Sequence, residues 1–422
     1  MRRSQYLKSG GKIMDEALKK KDVSPLFEKH IVLGVTGSIA AYKAAMLSSA
    51  LVKAGALVRV IETRNALKLV GEATFEGLTH QRVLYDTFSP DNASGVEHVD
   101  LAGWTDAFVV APASADVIAK FACGIADDML TTSFLAVRRD TPVLIAPAMN
   151  TNMYENPATQ DNLEKLRSRG IKIIEPSSGP LACGTVGKGR MAEPSEILFH
   201  IEAAVSRQDL SGKKIVISAG PTAEDIDPVR FITNRSSGKM GYAIAECAAR
   251  RGADVTLVSG PVSLTPSPLI KKVIPVRSAQ DMYEAVTSEA KDAFAVIMSA
   301  AVADYRPENV ADEKLHKSDD DMSIPLTRTK DILLELSKNK GDIILIGFSM
   351  ETEALLSNAK EKLLKKSLDM ICANSVKQQG AGFSVDTNVL TLITNDEVKE
   401  LPLMSKRACA DQILDRLLVL KK

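Results

Sequence analysis

The order strand, loop, helix, strand occurs twice in this chain, and no other feature limits its fold as tightly. From Ile31 to Ile61 an apolar run meets a Gly-Ser turn, a small-residue helix pattern and a Val-rich run. From Ile215 to Pro261 the same order returns: an apolar run at Ile215–Ile217, a Gly/Pro/Ser loop, a helix pattern from Tyr242 to Arg251, and an apolar run at Val255–Val258. Such an order opens a parallel α/β sheet. A sheet of this kind starts once per domain, so two starts roughly 180 residues apart predict two domains. The expected division is an appendage at 1–28, a first domain at 29–205, a polar linker at 206–213 and a second domain at 214–422.

Composition narrows the function classes. The 422 residues are 45% apolar and 25% charged, enough for two cores. Lys plus Arg number 53 and Asp plus Glu number 53. No overall field therefore favours nucleic acid or an anionic membrane, and any anionic ligand must be held by local groups. Cys123, Cys183, Cys247, Cys372 and Cys409 show neither a CxxC pair nor a disulfide framework, which suits a cytoplasmic setting. Met1–Lys29 has no apolar signal core, and no stretch approaches the roughly 20 apolar residues of a membrane span.

In the first domain, Gly34, Gly37 and Ala40 form G-x-x-G-x-x-A after a strand, which is not the dinucleotide fingerprint. Gly37 and Ser38 still offer backbone N–H groups to a phosphate, and a tight turn without ligand fits the same residues. Ala107–Val110 reads as a buried strand followed by Ser114 and Asp116, and Pro142–Ile145 as another followed by Asn150. Ligands of open α/β sheets lie at these carboxyl ends. A helix cap is the plainer use of Asn150. The run Gly179, Gly184, Gly187 and Gly189 surrounds Cys183. It is expected to hold neither helix nor strand, and to act as a lid bearing one thiol. His98 falls on an expected helix.

The second domain continues with strand-like runs at Lys272–Val276, Ala295–Met298, Ile343–Phe348, Met370–Ala373 and Val389–Thr394, and an antiparallel pair is expected near Ile324–Thr327 and the C-terminal end. Ser236–Gly241, SSGKMG, is not a Walker A sequence, because Thr233 and Met240 stand where Gly and Ser or Thr are needed. A Gly-Lys pair before a helix can bind an anion, and a helix start capped by Ser236 or Ser237 explains it equally. Asp304, Lys314, Lys362 and Lys366 are further candidates. Lys362 and Lys366 share a helix face, usually a solvated one.

The segments VTGSIAAYK, SGVEHVDL, PAMNTNMY and ACGTVGKGRM resemble, in order, the flavin-dependent half of the bifunctional phosphopantothenoylcysteine decarboxylase/phosphopantothenate–cysteine ligase family of coenzyme A synthesis. AGPT, DPVRFITNRSSGKMG, SAAVADYRP, EKLHK and GFSMET resemble its ligase half. The resemblance implies two Rossmann-like parallel-sheet domains, a flavodoxin-like flavoprotein domain followed by a nucleotide-binding ligase domain. It implies FMN on Gly37, Ser38, Thr63, Ser114, Ala115, Asp116 and Ala148. His98 would be the base, Asn150 would hold the substrate carboxylate, and Cys183 would return the final proton. A histidine near its reference pKa of about 6.5 suits the first task and a mostly protonated thiol the last. In the ligase half, Asn234 would handle an acyl-cytidylate formed from phosphopantothenate and CTP, Lys314 would neutralise phosphate charge, and L-cysteine would attack.

Ser299, Ala300, Ala301, Asp304, Lys330, Asp331, Phe348, Lys362 and Lys366 would form the rest of the nucleotide site, Asp304 at the nucleotide or its Mg2+. Assembly by trimers of decarboxylase halves and dimers of ligase halves, giving a dodecamer, is also implied. Two departures stand out. Leu315, His316 and Lys317 replace the common Ile-Lys-Lys, and Pro221 stands where the family commonly has Gly. Other readings of the first domain are a flavin-binding regulatory or interaction protein, a decarboxylase of another cysteinyl substrate, or a prenyl-flavin maker. His98 with Cys183 speaks against the regulator, and the fused ligase half favours the coenzyme A reading.

Overall fold

The computed structural model describes residues 24–89, 96–180, 186–316, 322–351, 355–375, 382 and 385–420. The described residues fall into two compact units, which part between Arg207 and Gln208. Among the described residues no helix is long and apolar enough to cross a membrane.

The first unit is built on β1 (His30–Val35), β2 (Leu57–Glu62), β3 (Ala107–Ala113), β4 (Val143–Pro147) and β5 (Lys172–Ile173). They form one parallel sheet in the order β2-β1-β3-β4-β5. That order is flavodoxin-like, with its switch between β1 and β3. Alternation explains why these strands read as unbroken apolar runs. Ile31, Leu33 and Val35 face a core shared with Ala44, Leu47 and Leu51 of the helix Ala41–Lys53, while Val32 faces a second core with Phe108, Val110 and Ile118. Both faces are covered, so both must be apolar. Each fully buried Leu or Phe contributes about 1.5–3 kcal/mol.

One expectation fails here. Part of the glycine-rich run does form strands: β6 (Ser177–Pro180) and β7 (Val186–Arg190) pair antiparallel, Gly179 opposite Gly187. Cross-strand hydrogen bonds hold the pair whatever the side chains. The glycines serve close approach instead, since a Cβ on Gly187 would stand 2.5 Å from Thr151 Oγ1.

The second unit has an eight-stranded sheet. It is assembled from β8 (Lys214–Ala219), β11 (Asp254–Ser259), β12 (Lys272–Pro275), β13 (Ala295–Met298), β16 (Ile344–Glu351), β17 (Met370–Ser375), β19 (Thr391–Ile393) and β20 (Val398–Glu400). Short pairs lie outside it: β9 (Ala223–Asp225) with β10 (Phe231–Thr233), β14 (Tyr305–Pro307) with β15 (Leu326–Arg328), and β18 (Thr387–Asn388) with β21 (Met404–Ser405). The sheet order is β12-β11-β8-β13-β16-β17-β19-β20, parallel through β17 and antiparallel beyond. Its parallel part has the Rossmann order, with the switch between β8 and β13.

The helix after the first loop runs Lys239–Arg250, three residues earlier than its apolar pattern, and its N-cap is neither Ser236 nor Ser237. Gly238 caps it at φ 76°, a conformation glycine adopts freely. Gly241 then lets the helix approach β8, since a Cβ there would stand 2.6 Å from that of Ala219.

Candidate functional site

At the first switch point a buried hydroxyl joins two strand ends. Thr36 Oγ1 donates to the Pro112 carbonyl and accepts from Ser114 N–H, both at 2.8 Å. Ser114 in turn caps the helix Ala115–Cys123, accepting from Val117 N–H. Gly37 allows the β1 loop to pass close to the next one, since a Cβ there would stand 2.6 Å from Asn65 Cβ.

Gly37, Ser38, Ser114, Ala115, Ala148 and Asn150 line one cavity of about 570 Å3, together with Ile39, Tyr42, Met149, Met153 and Met191. Asn150 is both things the sequence left open. It lines the cavity and caps the helix Thr151–Glu155, its Oδ1 accepting from Asn152 N–H at 2.9 Å. Thr63, Asp116 and His98 are not among the lining residues. Asp116 is exposed and pairs with Lys120 at 3.6 Å, and His98 is half-buried in the helix Glu97–Trp104. Cys183 lies outside the described residues.

Lys43, which sequence reasoning missed, also lines this cavity and is 4% exposed. Its ammonium donates to Glu193 Oε1 at 2.8 Å and to the Met191 carbonyl at 3.2 Å. The hydrogen bond from Lys43 holds the Glu193 carboxyl below its usual range. A signal was present in the sequence: Lys43 stands in register with buried Leu47 and Leu51 on the helix, and a charge on such a face needs a partner.

The second switch point repeats the device. Ser218 Oγ accepts from Ala300 N–H at 3.1 Å and Thr222 Oγ1 from Ala303 N–H at 3.0 Å. Asn234 Nδ2 donates to the Ala301 and Val302 carbonyls at 3.1 and 3.3 Å. Asn234, Ser299, Ala300, Ala301, Asp304, Lys330, Asp331, Phe348, Lys362 and Lys366 all line one cavity of about 640 Å3. The lysine stripe therefore faces a cavity: Lys362 reaches Ser349 Oγ at 3.2 Å and Lys366 reaches Asp331 at 2.8 Å. Arg235, Lys239 and Lys406 add to the wall, so among the described lining residues six cationic side chains stand with two carboxylates, Asp304 and Asp331.

Lys314 is exposed and is not among the lining residues. Its neighbour is firmly held, however. The Asp227 carboxylate accepts from Leu315 N–H at 3.2 Å, and Arg230 donates to the Leu315 carbonyl. Burial opposes the Asp227 charge, yet the N–H groups of Val229, Arg230 and Leu315 together with the Arg230 charge keep its carboxyl below the usual range. The DPVR segment thus anchors the segment that carries Lys314. Pro221 occupies a tight place as well: its carbonyl lies where a Cβ on Gly260 would go, and Thr222 N–H bonds the Ala301 carbonyl at 3.3 Å.

Comparison with known proteins agrees with this division. Residues 20–206 match the flavoprotein family, and residues 210–420 match the DNA/pantothenate metabolism flavoprotein C-terminal domain. The coenzyme A biosynthesis bifunctional protein CoaBC of Bacillus subtilis (strain 168) is 50% identical over 401 residues, 94% of this chain and 98% of that protein. Its namesake in Escherichia coli (strain K12) is 43% identical over 394 residues, 92% of this chain and 96% of that one. A cysteine/cysteine sulfinic acid decarboxylase from an unknown prokaryotic organism is 45% identical over 359 residues, 83% of this chain and 99% of that one. Matched along nearly its whole length, the chain belongs to the CoaBC family of bifunctional coenzyme A biosynthesis proteins.

Proposed function

We propose that the second unit joins phosphopantothenate to L-cysteine with CTP, and that the first decarboxylates the phosphopantothenoylcysteine so formed to phosphopantetheine with FMN. One observation carries the reading. Each unit brings chemistry-bearing residues to a cavity at its own switch point, and the two cavities differ in charge as two such reactions require.

A carboxylate is a poor acyl donor, so amide formation begins by transferring the nucleotide to it, and the phosphate charge must be offset. Lys330, Lys362, Lys366 and Lys239 supply fixed positive charge around the cavity. Asn234, oriented by the Ala301 and Val302 carbonyls, would hold the acyl-cytidylate, and Lys314 would move onto the phosphate. Magnesium would arrive with the nucleotide beside Asp304. Among the described residues no group of three or more His, Cys, Asp or Glu is arranged to hold a metal.

The first cavity fits a flavin mononucleotide. Gly37 and Ser38 with the N-terminus of the helix Ala115–Cys123 suit a phosphate, and Ile39, Tyr42 and Met191 suit an apolar ring. When bound, the flavin supplies a two-electron acceptor that oxidises the cysteinyl thiol and later returns the pair. Asn150 Oδ1 accepts from Asn152 N–H, and donation to the substrate carboxylate would come from Nδ2, the donor end of the amide. His98 would take the proton and Cys183 give one back.

The rim of this cavity supports self-association. Ile39, in the turn before the helix Ala41–Lys53, and Tyr42 and Met46 on that helix are 66%, 55% and 57% exposed, with Met153 at 50%. Copies packing there would complete a trimer of decarboxylase units, and pairing of ligase units would extend it to a dodecamer; light scattering in solution tests both. Among the described residues Cys123, Cys247, Cys372 and Cys409 form no disulfide, which suits the cytoplasm.

The cysteine/cysteine sulfinic acid decarboxylase among the relatives favours one rival, decarboxylation of another cysteinyl compound. Carbon dioxide release decides between them. We expect release from phosphopantothenoylcysteine by the flavin-loaded chain and none from free cysteine. Release from free cysteine alone would replace the substrate assignment.

A further inference from the structure

Two helices that pack against each other, Lys239–Arg250 and Lys406–Val419, begin at the same cavity. Each has a lysine as its first residue, Lys239 after Gly238 and Lys406 after Ser405. Cations at helix N-termini meet the positive end of the helix dipole, so this is an unfavourable place for either. Lys406 is also 6% exposed. Its ammonium donates to the Gly382 carbonyl at 3.0 Å and to that of Val385. Burial first, and then Lys239, push the Lys406 ammonium below its ordinary pKa.

The Asp386 carboxylate answers this charge. Asp386 bonds Lys239 Nζ at 2.7 Å, and that bond, then the lysine's charge, hold the Asp386 carboxyl below its usual range. The Asp386 backbone is pinned, its carbonyl accepting from Lys406 N–H at 2.9 Å beside the β18–β21 pair. The side chain is 88% exposed. At the other lysine pair the situation differs. Asp331 holds Lys366 but also caps the helix Ile332–Lys338 through Leu334 N–H, so its carboxylate has a second duty.

We infer that Asp386 is a built-in competitor for anionic ligands in this cavity: its carboxylate and the phosphate groups of a polyphosphate seek the same Lys239 ammonium, and ligand entry displaces it. The inference rests on the ligase reading and adds a means of regulating that site. An exposed ion pair is screened by solvent and weak enough to be exchanged, while the pinned backbone keeps the carboxylate ready to return. Its return would also help expel inorganic pyrophosphate, the anion left after nucleotide transfer.

The test is calorimetric titration of the full chain with inorganic pyrophosphate and with CTP. Asp386→Asn, and likewise Asp386→Ala, should tighten pyrophosphate binding by about two- to fivefold. The KM for CTP should fall while product inhibition by pyrophosphate grows, a split that a merely structural residue would not produce. In a Lys239→Met background the gain from Asp386→Asn should vanish. Unchanged or weaker pyrophosphate binding by both Asp386 variants, in a chain whose unaltered form binds CTP, overturns the inference alone. A gain that survives intact in Lys239→Met overturns the route through Lys239. An unaltered chain that binds neither ligand removes the ligase reading and this inference together.

Discussion

In the first unit Thr36 closes the gap between β1 and β3 by donating to Pro112 and accepting from Ser114; in the second, Ser218 and Thr222 serve β8 and β13 by accepting from Ala300 and Ala303. The two sheets place their cavities alike, yet the walls differ. The first carries Ile39, Tyr42, Met149, Met153 and Met191, with Lys43 neutralised by Glu193. The second carries Arg235, Lys239, Lys330, Lys362, Lys366 and Lys406. Topology therefore fixes where a ligand goes, and the residues after each strand fix which ligand it is.

The sharpest way to break this comparison is to disable one site and watch the other. Lys314→Gln should cut amide formation by about 10²–10³-fold and leave decarboxylation unchanged. Cys183→Ser should keep bound flavin and stall after substrate oxidation, a loss of similar size. Liquid chromatography of both products checks each. Full turnover by the Cys183 variant would remove the thiol from the chemistry.

Next in size is a proton effect confined to the first unit. Glu62 ends β2 at 1% exposure, and neither of its carboxyl oxygens has a hydrogen-bond partner among the described residues. Burial, and then the charge of Glu72, raise its carboxyl pKa from 4.5 to about 7. The folded state thus holds a proton that the unfolded chain gives up, and this group's contribution to stability falls as pH rises from 4.5 to about 7. Above that the penalty is constant, at most about 3 kcal/mol. Glu62→Met should therefore stabilise the flavin unit by an amount that grows over this window and then levels, followed as flavin release on heating. A pH-independent difference would contradict the assignment.

Smaller effects sharpen the contrast. Gly37→Ala forces a Cβ against Asn65 and should weaken flavin binding by roughly 10-fold, from about 1–3 kcal/mol of overpacking, while CTP binding stays as it was. Flavin fluorescence and calorimetry read the two. Raising ionic strength from about 0.1 to 1 M, which shortens the screening length from about 10 to 3 Å, should weaken CTP binding several-fold and flavin binding far less. Equal salt dependence would erase the distinction between the walls.

Much of this was legible along the chain, because apolar runs, turns and motifs are local. Both sheet starts, and the lysines Lys362 and Lys366, could be read from spacing and motif. What escaped depended on distant partners or on backbone freedom. Lys406 and Asp386 meet Lys239 only because two helices separated by some 155 residues of sequence pack side by side. The β6–β7 hairpin was hidden because glycine has no strand signature, and the start of the helix Lys239–Arg250 because Gly238 caps it through its backbone. Thr63, Asp116, His98 and Lys314 carry motif matches but do not line their cavities.

The most direct measurement is mass spectrometry of the purified chain supplied with phosphopantothenate, CTP, Mg2+ and cysteine, beside the same mixture without CTP and a Lys314→Gln chain. Phosphopantetheine should form from the complete mixture alone. The variant should form it only when phosphopantothenoylcysteine is supplied. Phosphopantetheine arising without CTP, or loss of both activities in the Lys314 variant, would contradict two separate sites on one chain.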